Sequence, residues 1–223
     1  MSHSKIKHFV SIAALIFSVY LLSIPNTALA GHILIESGTP PAALLAASLP
    51  NLAIAQKVKL RIGKHSLTSQ FTYQQPPEIK GVDLNFDEWT DIWITGCTDG
   101  QCRNRVSDVW LYSPKSKTFV YHTQLSSMSN LSVSATQQLL QSGIDNAGCA
   151  GMNFYYDVYQ WERGALLAIH HREQSCEETG LLYREYSIRH GMKGLIYTEH
   201  GGEDEETQQK RRFGEFKPSL QQR

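Results

Sequence analysis

From Lys57 onward the chain repeats with a period of two. Val58, Leu60 and Ile62 alternate with Lys57, Lys59 and Arg61, the pattern of a strand with one buried face. Further strands are predicted at Leu67 to Tyr73, Asp91 to Gly96, Asp108 to Ser113, Thr118 to Gln124, Asn153 to Trp161, Ala165 to His171, Leu181 to Ile188 and Leu195 to Glu199. Turn chemistry separates several of them: Ser113-Pro114-Lys115-Ser116, Glu162-Arg163-Gly164 and His190-Gly191-Met192-Lys193-Gly194. The prediction is a mainly β domain over residues 57–200, an antiparallel sandwich or a curled, propeller-like meander, with one or two short helices. One helix is expected over Ser134 to Leu140, capped by Ser134 and ended by Gly143. Another is expected in the Ala/Leu-rich stretch that follows Thr39-Pro40-Pro41, within an N-terminal segment 31–56. Residues 201–223 are polar, and a disordered tail is expected there.

The N-terminus has a different pattern. Lys5 and Lys7 precede an apolar run from Phe9 to Ile24, and Ala28-Leu29-Ala30 follows, which reads as a secretory signal over residues 1–30 cleaved after Ala30. A periplasmic protein without a stable membrane anchor is expected, and an exported chain has access to an oxidising compartment. All four cysteines lie in the exported part, so two disulfides are expected. Three pairings are open. Cys97 with Cys102 is favoured, because Thr98-Asp99-Gly100-Gln101 can turn the chain between them, and this leaves Cys149 with Cys176. With 21 basic and 21 acidic residues, charge gives no reason to expect nucleic acid as a partner.

Candidate chemistry concentrates between Asp83 and Asp91. Asp83, Asn85, Asp87, Trp89 through its carbonyl, and Asp91 stand at relative positions 1, 3, 5, 7 and 9, the start of a calcium loop, because a hard cation needs oxygens converging from one tight turn. Position 6 of such a loop normally holds glycine, and here it is Glu88. The other reading is an acidic turn whose side chains bond nearby backbone amides. No nucleophile elbow, His-Glu-x-x-His or phosphate loop occurs, so no catalytic residues are assigned and the chain is read as a non-enzyme. The strand from Phe154 to Trp161 places Phe154, Tyr156 and Val158 on one face and Tyr155, Asp157, Tyr159 and Trp161 on the other. Tyr155, Tyr159 and Trp161 are candidates for a partner surface. His170 and His171 are expected on opposite faces of a strand.

The run Val82-Asp83-Leu84-Asn85-Phe86-Asp87-Glu88-Trp89-Thr90-Asp91-Ile92-Trp93-Ile94 resembles the signature hydrophobic-Asp-x-Asn-Phe-Asp-Gly-x-x-Asp-hydrophobic. That signature belongs to periplasmic inhibitors of invertebrate-type lysozyme and to related calcium-binding immunity proteins directed at peptidoglycan glycohydrolases. The resemblance covers roughly residues 57–200, and only this motif is specific. It implies a calcium ion and a peptidoglycan-degrading enzyme as partner, blocked by occlusion. The inhibitors insert a Ser-Gly-x-x-Tyr loop into the lysozyme cleft; the nearest match is Ser142-Gly143-Ile144-Asp145-Asn146, with Asn in place of Tyr. That departure shifts the expected target from lysozyme to another wall hydrolase. The alternative is a calcium-stabilised structural or adhesion module.

Overall fold

A computed structural model describes residues 34–41, 57–63 and 65–214. The expected signal and the expected helix after Pro41 lie outside these residues. Among the described residues thirteen strands run in chain order: β1 (Leu34–Ile35), β2 (Lys59–Ile62), β3 (His65–Thr68), β4 (Glu78–Val82), β5 (Asp91–Gly96), β6 (Val106–Ser113), β7 (Thr118–Tyr121), β8 (Ser132–Ser134), β9 (Leu139–Asp145), β10 (Phe154–Glu162), β11 (Ala165–Glu177), β12 (Gly180–Arg189) and β13 (Met192–His200). Among the described residues two α-helices accompany them, α1 (Thr123–Ser126) and α2 (Glu205–Phe213), with a 3-10 turn at Cys149–Gly151.

Sheet I has the order β1-β4-β5-β6-β7, antiparallel except for the parallel pair β1–β4. Sheet II is an antiparallel meander in the order β13-β12-β11-β10-β9-β8. β2 and β3 form a separate hairpin. On β5, Ile92 and Ile94 face the hairpin residues Leu60, Ile62 and Leu67, while Trp93 points the other way and packs with Val109, Leu140 and Leu166. Sheet I is therefore covered on both faces, by the hairpin and by one end of sheet II, and every residue of β5 is buried. The mainly β expectation holds, and the packing is that of a sandwich. Both expected disulfides are present, Cys97–Cys102 and Cys149–Cys176.

Several expectations are corrected. Ser134 to Leu140 is no helix: β8, the turn Ala135 to Gln138 and β9 form a hairpin, with Val133 opposite Leu140. The helix-forming tendency of Thr-Gln-Gln yields because β9 pairs with β10 and Leu140 enters the inter-sheet core. The strand expected from Leu67 to Tyr73 stops at Thr68, where the Ser69 hydroxyl takes over, accepting from Val58 N and donating to the Phe71 carbonyl. The strand expected to Gln124 stops at Tyr121, because His122 caps α1. β4 is an additional strand; its interior Gly81 and the polar Glu78 and Lys80 weaken the strand pattern.

Residues 201–214 are not a disordered tail. Asp204 caps α2, accepting from Thr207 N at 2.8 Å, with Glu205 and Glu206 in the first turn and Lys210, Arg211 and Arg212 in the last, a charge order that favours the helix dipole. Gln208 and Arg211 are buried against sheet II. Composition suggested disorder because the anchors are polar, and their partners lie far away in the sequence. Two register shifts mark sheet II. One leaves Ile169 extra on β11, between His170 and Ala168; the other leaves Ile196 extra on the edge strand β13, between Leu195 and Tyr197.

Candidate functional site: the Asp83 loop and the exposed face of sheet II

The loop between β4 and β5 is closed by its own oxygens. Asp83 accepts from the amides of Asp87 at 3.2 Å and Glu88 at 2.9 Å; Asp87 accepts from Trp89 N at 3.0 Å and from the Asn85 side-chain amide at 2.9 Å. Side-chain acceptors take up donors that a tight turn leaves unpaired. Glu88, where a calcium loop has glycine, adopts φ 71°, the left-handed conformation that glycine favours. The turn that the motif requires is thus kept, at the cost of a Cβ in a strained region. Glu88→Gly is expected to raise stability by about 1 kcal/mol, read as a higher urea midpoint.

The N-terminal segment fastens the loop from one side. Ser37 Oγ accepts from Asp83 N at 2.8 Å, Thr39 N donates to the Glu88 carbonyl at 2.6 Å and Thr90 N donates to the Thr39 carbonyl at 3.1 Å. Gly38 crosses so close that a Cβ would come within 2.8 Å of Thr90 N. From the other side, Trp161 Nε1 donates to the Leu84 carbonyl at 2.9 Å. The loop is thereby tied to both sheets, and its exposed apex is Asp87 and Glu88.

Asp91 is fully buried and turned away from the apex. Its carboxylate accepts from Leu84 N and from Tyr112 N on β6, both at 2.8 Å. Burial pushes this carboxyl up to about 8, with repulsion from Asp87 and Asp83 adding to it and the two amide bonds opposing. A folded chain then keeps the proton up to about pH 8 while an unfolded chain releases it near pH 4. Stability contributed here is full below about pH 4 and falls as pH rises toward 8, by at most about 1.4 kcal/mol per pH unit. Asp91→Asn is expected to flatten that slope in urea titrations at pH 5 and pH 8, at some overall cost because the amide can accept at one position only.

Calcium fits the loop by donor type, since the side-chain and carbonyl oxygens are hard ligands. The fit of placement is incomplete. Asn85 turns its nitrogen toward Asp87, Asp91 faces inward, and among the described residues no group of three or more His, Cys, Asp or Glu side chains is gathered to hold a metal ion.

Of the expected partner-facing residues, Ser142 and Gly143 do not lie on an exposed loop. They are buried in mid-β9; Ser142 Oγ donates to the Ser129 carbonyl, and Gly143 lies against the β10 backbone. Pairing of β9 with β10 takes the whole Ser-Gly segment into sheet II. Tyr159 and Trp161 are half-buried in the inter-sheet core. Burial, with Asp157 beside it, pushes the Tyr159 hydroxyl up to about 12.

Tyr155 alone of the set is exposed, and it marks a polar and aromatic surface. Beyond the end of sheet I, one face of sheet II carries Tyr155, Asp157, His171, Glu173 and Tyr186 on three adjacent strands. His171 has Nδ1 2.7 Å from Asp157 and Nε2 3.3 Å from Glu173, and its ring stacks with Tyr155. Tyr186 donates to Glu173 at 2.9 Å. Burial raises the Glu173 carboxyl, but bonds from Tyr186 and His171 and the nearby Arg184 hold it below the ordinary range overall. His170 lies on the opposite face with Glu185 at 3.4 Å, as the strand period requires. Alternation alone pointed to Tyr155; the acids around His171 come from strands whose register the sequence does not show.

No protein-family model matches the chain, and no curated protein matches it. A solved structure described as a Xanthomonas type IV secretion system related protein is similar at 15% identity, over 73% of this chain and 86% of that one, with a TM-score of 0.49.

Proposed function

We propose that this chain is an exported, non-catalytic binding protein that neutralises a peptidoglycan-degrading enzyme by occlusion. The observation that carries the reading is the Val82 to Ile94 run. Its motif resembles that of wall-hydrolase inhibitors and immunity proteins, and its turn keeps the left-handed residue the motif needs even with Glu88 in glycine's place. A loop fastened to two sheets presents its apex with little ordering cost on binding, which favours affinity. The two disulfides suit an oxidising compartment such as the periplasm. Since Ser142 and Gly143 are buried, the contact surface is assigned to the loop apex and to the face around Tyr155.

Purified protein should slow wall digestion by at least one enzyme in a panel of lysozymes and bacterial glycohydrolases and co-elute with it. Absence of both effects across the panel would overturn the reading. Tyr155→Ala should weaken that inhibition by about tenfold while leaving the urea midpoint in place.

Calcium belongs to the same proposal, held by Asp83, Asn85, Asp87 and the Trp89 carbonyl, with Asp91 as the inward brace. Calcium at a hundredfold excess over its dissociation constant should stabilise the fold by about 2.7 kcal/mol, seen as a higher melting temperature than in chelator. Equal melting temperatures would remove the ion, from this reading and from that of a calcium-stabilised structural module alike, and leave an acidic turn closed by its own side chains, as its hydrogen bonding favours.

A further inference from the structure

One face of sheet II carries the inter-sheet core and, beyond it, the surface around Tyr155. The other carries the aromatic cluster Phe154, Tyr156 and Tyr183, and α2 lies over it. A nine-residue helix is too short to be stable alone, so its contacts decide whether it stays. Those contacts centre on two successive arginines. Arg211 sits over the Tyr183 ring at 5.0 Å and donates to Glu199 at 2.6 Å and to Gln174 at 2.7 Å. Arg212 sits over the Phe154 ring at 5.0 Å, with its Nε 3.1 Å from Asp145, and donates to the Gly151 carbonyl at 2.7 Å. Each guanidinium thus meets one aromatic face and one carboxylate, a repeated recognition unit. Between them Arg172 of β11 donates to the carbonyls of Arg211 and Gly214.

The same contacts set how firmly the helix is held. They are polar and charge-assisted, and Arg172 Nε and Arg211 Nε are buried without a hydrogen-bond partner, which lowers the net gain from docking. The link from β13 runs through Gly201 and Gly202, at φ 82° and 78°, left-handed positions that glycine adopts without strain. Phe213, the apolar residue at the helix end, is exposed.

We propose that this face of sheet II is a binding site for paired arginines, that α2 is its resident ligand, and that a partner peptide with two successive arginines takes the face when α2 swings out. The site is separate from the Asp83 loop and from Tyr155, so it stands whether or not a wall hydrolase is the target.

The test uses the full chain and a synthetic peptide of residues 203–214. A tethered occupant has an effective concentration of the order of millimolar, so the peptide must reach several millimolar. Hydrogen exchange of the chain's own α2 amides should then quicken about tenfold, with sheet II amides unchanged. A control peptide with Arg211→Ala and Arg212→Ala should have no effect. In a full chain with the same two substitutions, the wild-type peptide should bind about tenfold more tightly, because the resident ligand has lost its anchors. Unchanged α2 exchange at the highest peptide concentration, or equal quickening by the alanine peptide, overturns the proposal. If the substituted chain does not fold, the competition on the native chain still decides.

Discussion

Asp108→Leu is expected to lower stability by about 4 kcal/mol. Asp108 is fully buried on β6 and accepts from four donors: Gln70 N at 2.8 Å, Phe71 N at 3.3 Å, Tyr73 OH at 2.8 Å and Tyr121 OH at 3.2 Å. Two of these are backbone amides in the segment after the β2–β3 hairpin, so this carboxylate fastens that segment to sheet I. Leucine keeps the branching at Cγ but is bulkier and has no acceptor, so it both crowds the site and strands donors, each stranded buried donor costing about 1–3 kcal/mol. Against a total of about 5–15 kcal/mol for a domain, the loss is a large fraction. Tyr73→Phe removes one of the four bonds and should cost only about 1 kcal/mol. The check is the urea midpoint of each variant at unchanged m. A midpoint for Asp108→Leu within error of wild type would show that the hairpin holds by apolar contact alone.

Gly143→Ala should cost about 3 kcal/mol or more. A Cβ at this position would overlap the Tyr155 carbonyl oxygen and come within 2.5 Å of the Tyr156 ring. Neither obstacle is the far end of a flexible side chain, so β9 or β10 would have to move, and both are interior strands of sheet II. Thermal unfolding would report the loss. An unchanged melting temperature would mean that β9 can part from β10 at this point without penalty. The substitution also separates two roles for Gly143: as a packing residue it lowers stability, whereas as an inhibitory-loop residue it would lower binding alone.

What the sequence makes legible follows from range. β5 was predicted with the bounds it has, because an apolar run between Asp91 and Gly96 is a local signal. The disulfide Cys97–Cys102 was equally local. The donors of the Asp83 loop were readable for the same reason, but their orientation was not: Asp91 turns inward because the amide of Tyr112, on another strand, is its partner. The helix expected at Ser134 fails because local propensity competes with pairing to β10, which the chain reaches only after another turn. α2 was missed for the opposite reason. Its residues look like a solvated tail until Glu199, Gln174 and Tyr183 are brought beneath Arg211. Tyr155 was found by alternation, and the acid–histidine group beside it required the register of β10, β11 and β12.

The extra residue at Ile196 bears on how the molecule behaves when crowded. β13 is a free edge with exposed Leu195, Ile196 and Tyr197, the kind of strand that recruits identical copies into aggregates. By sequence, two such edges aligned antiparallel about Ile196 would set Lys193 of each against Glu199 of the other. The bulge sends those charges to opposite sides, Lys193 toward Tyr186 and Glu199 toward Arg211, and breaks the backbone ladder where a second copy would dock. One extra isoleucine thus disfavours the continuous intermolecular sheet that a regular apolar edge would template.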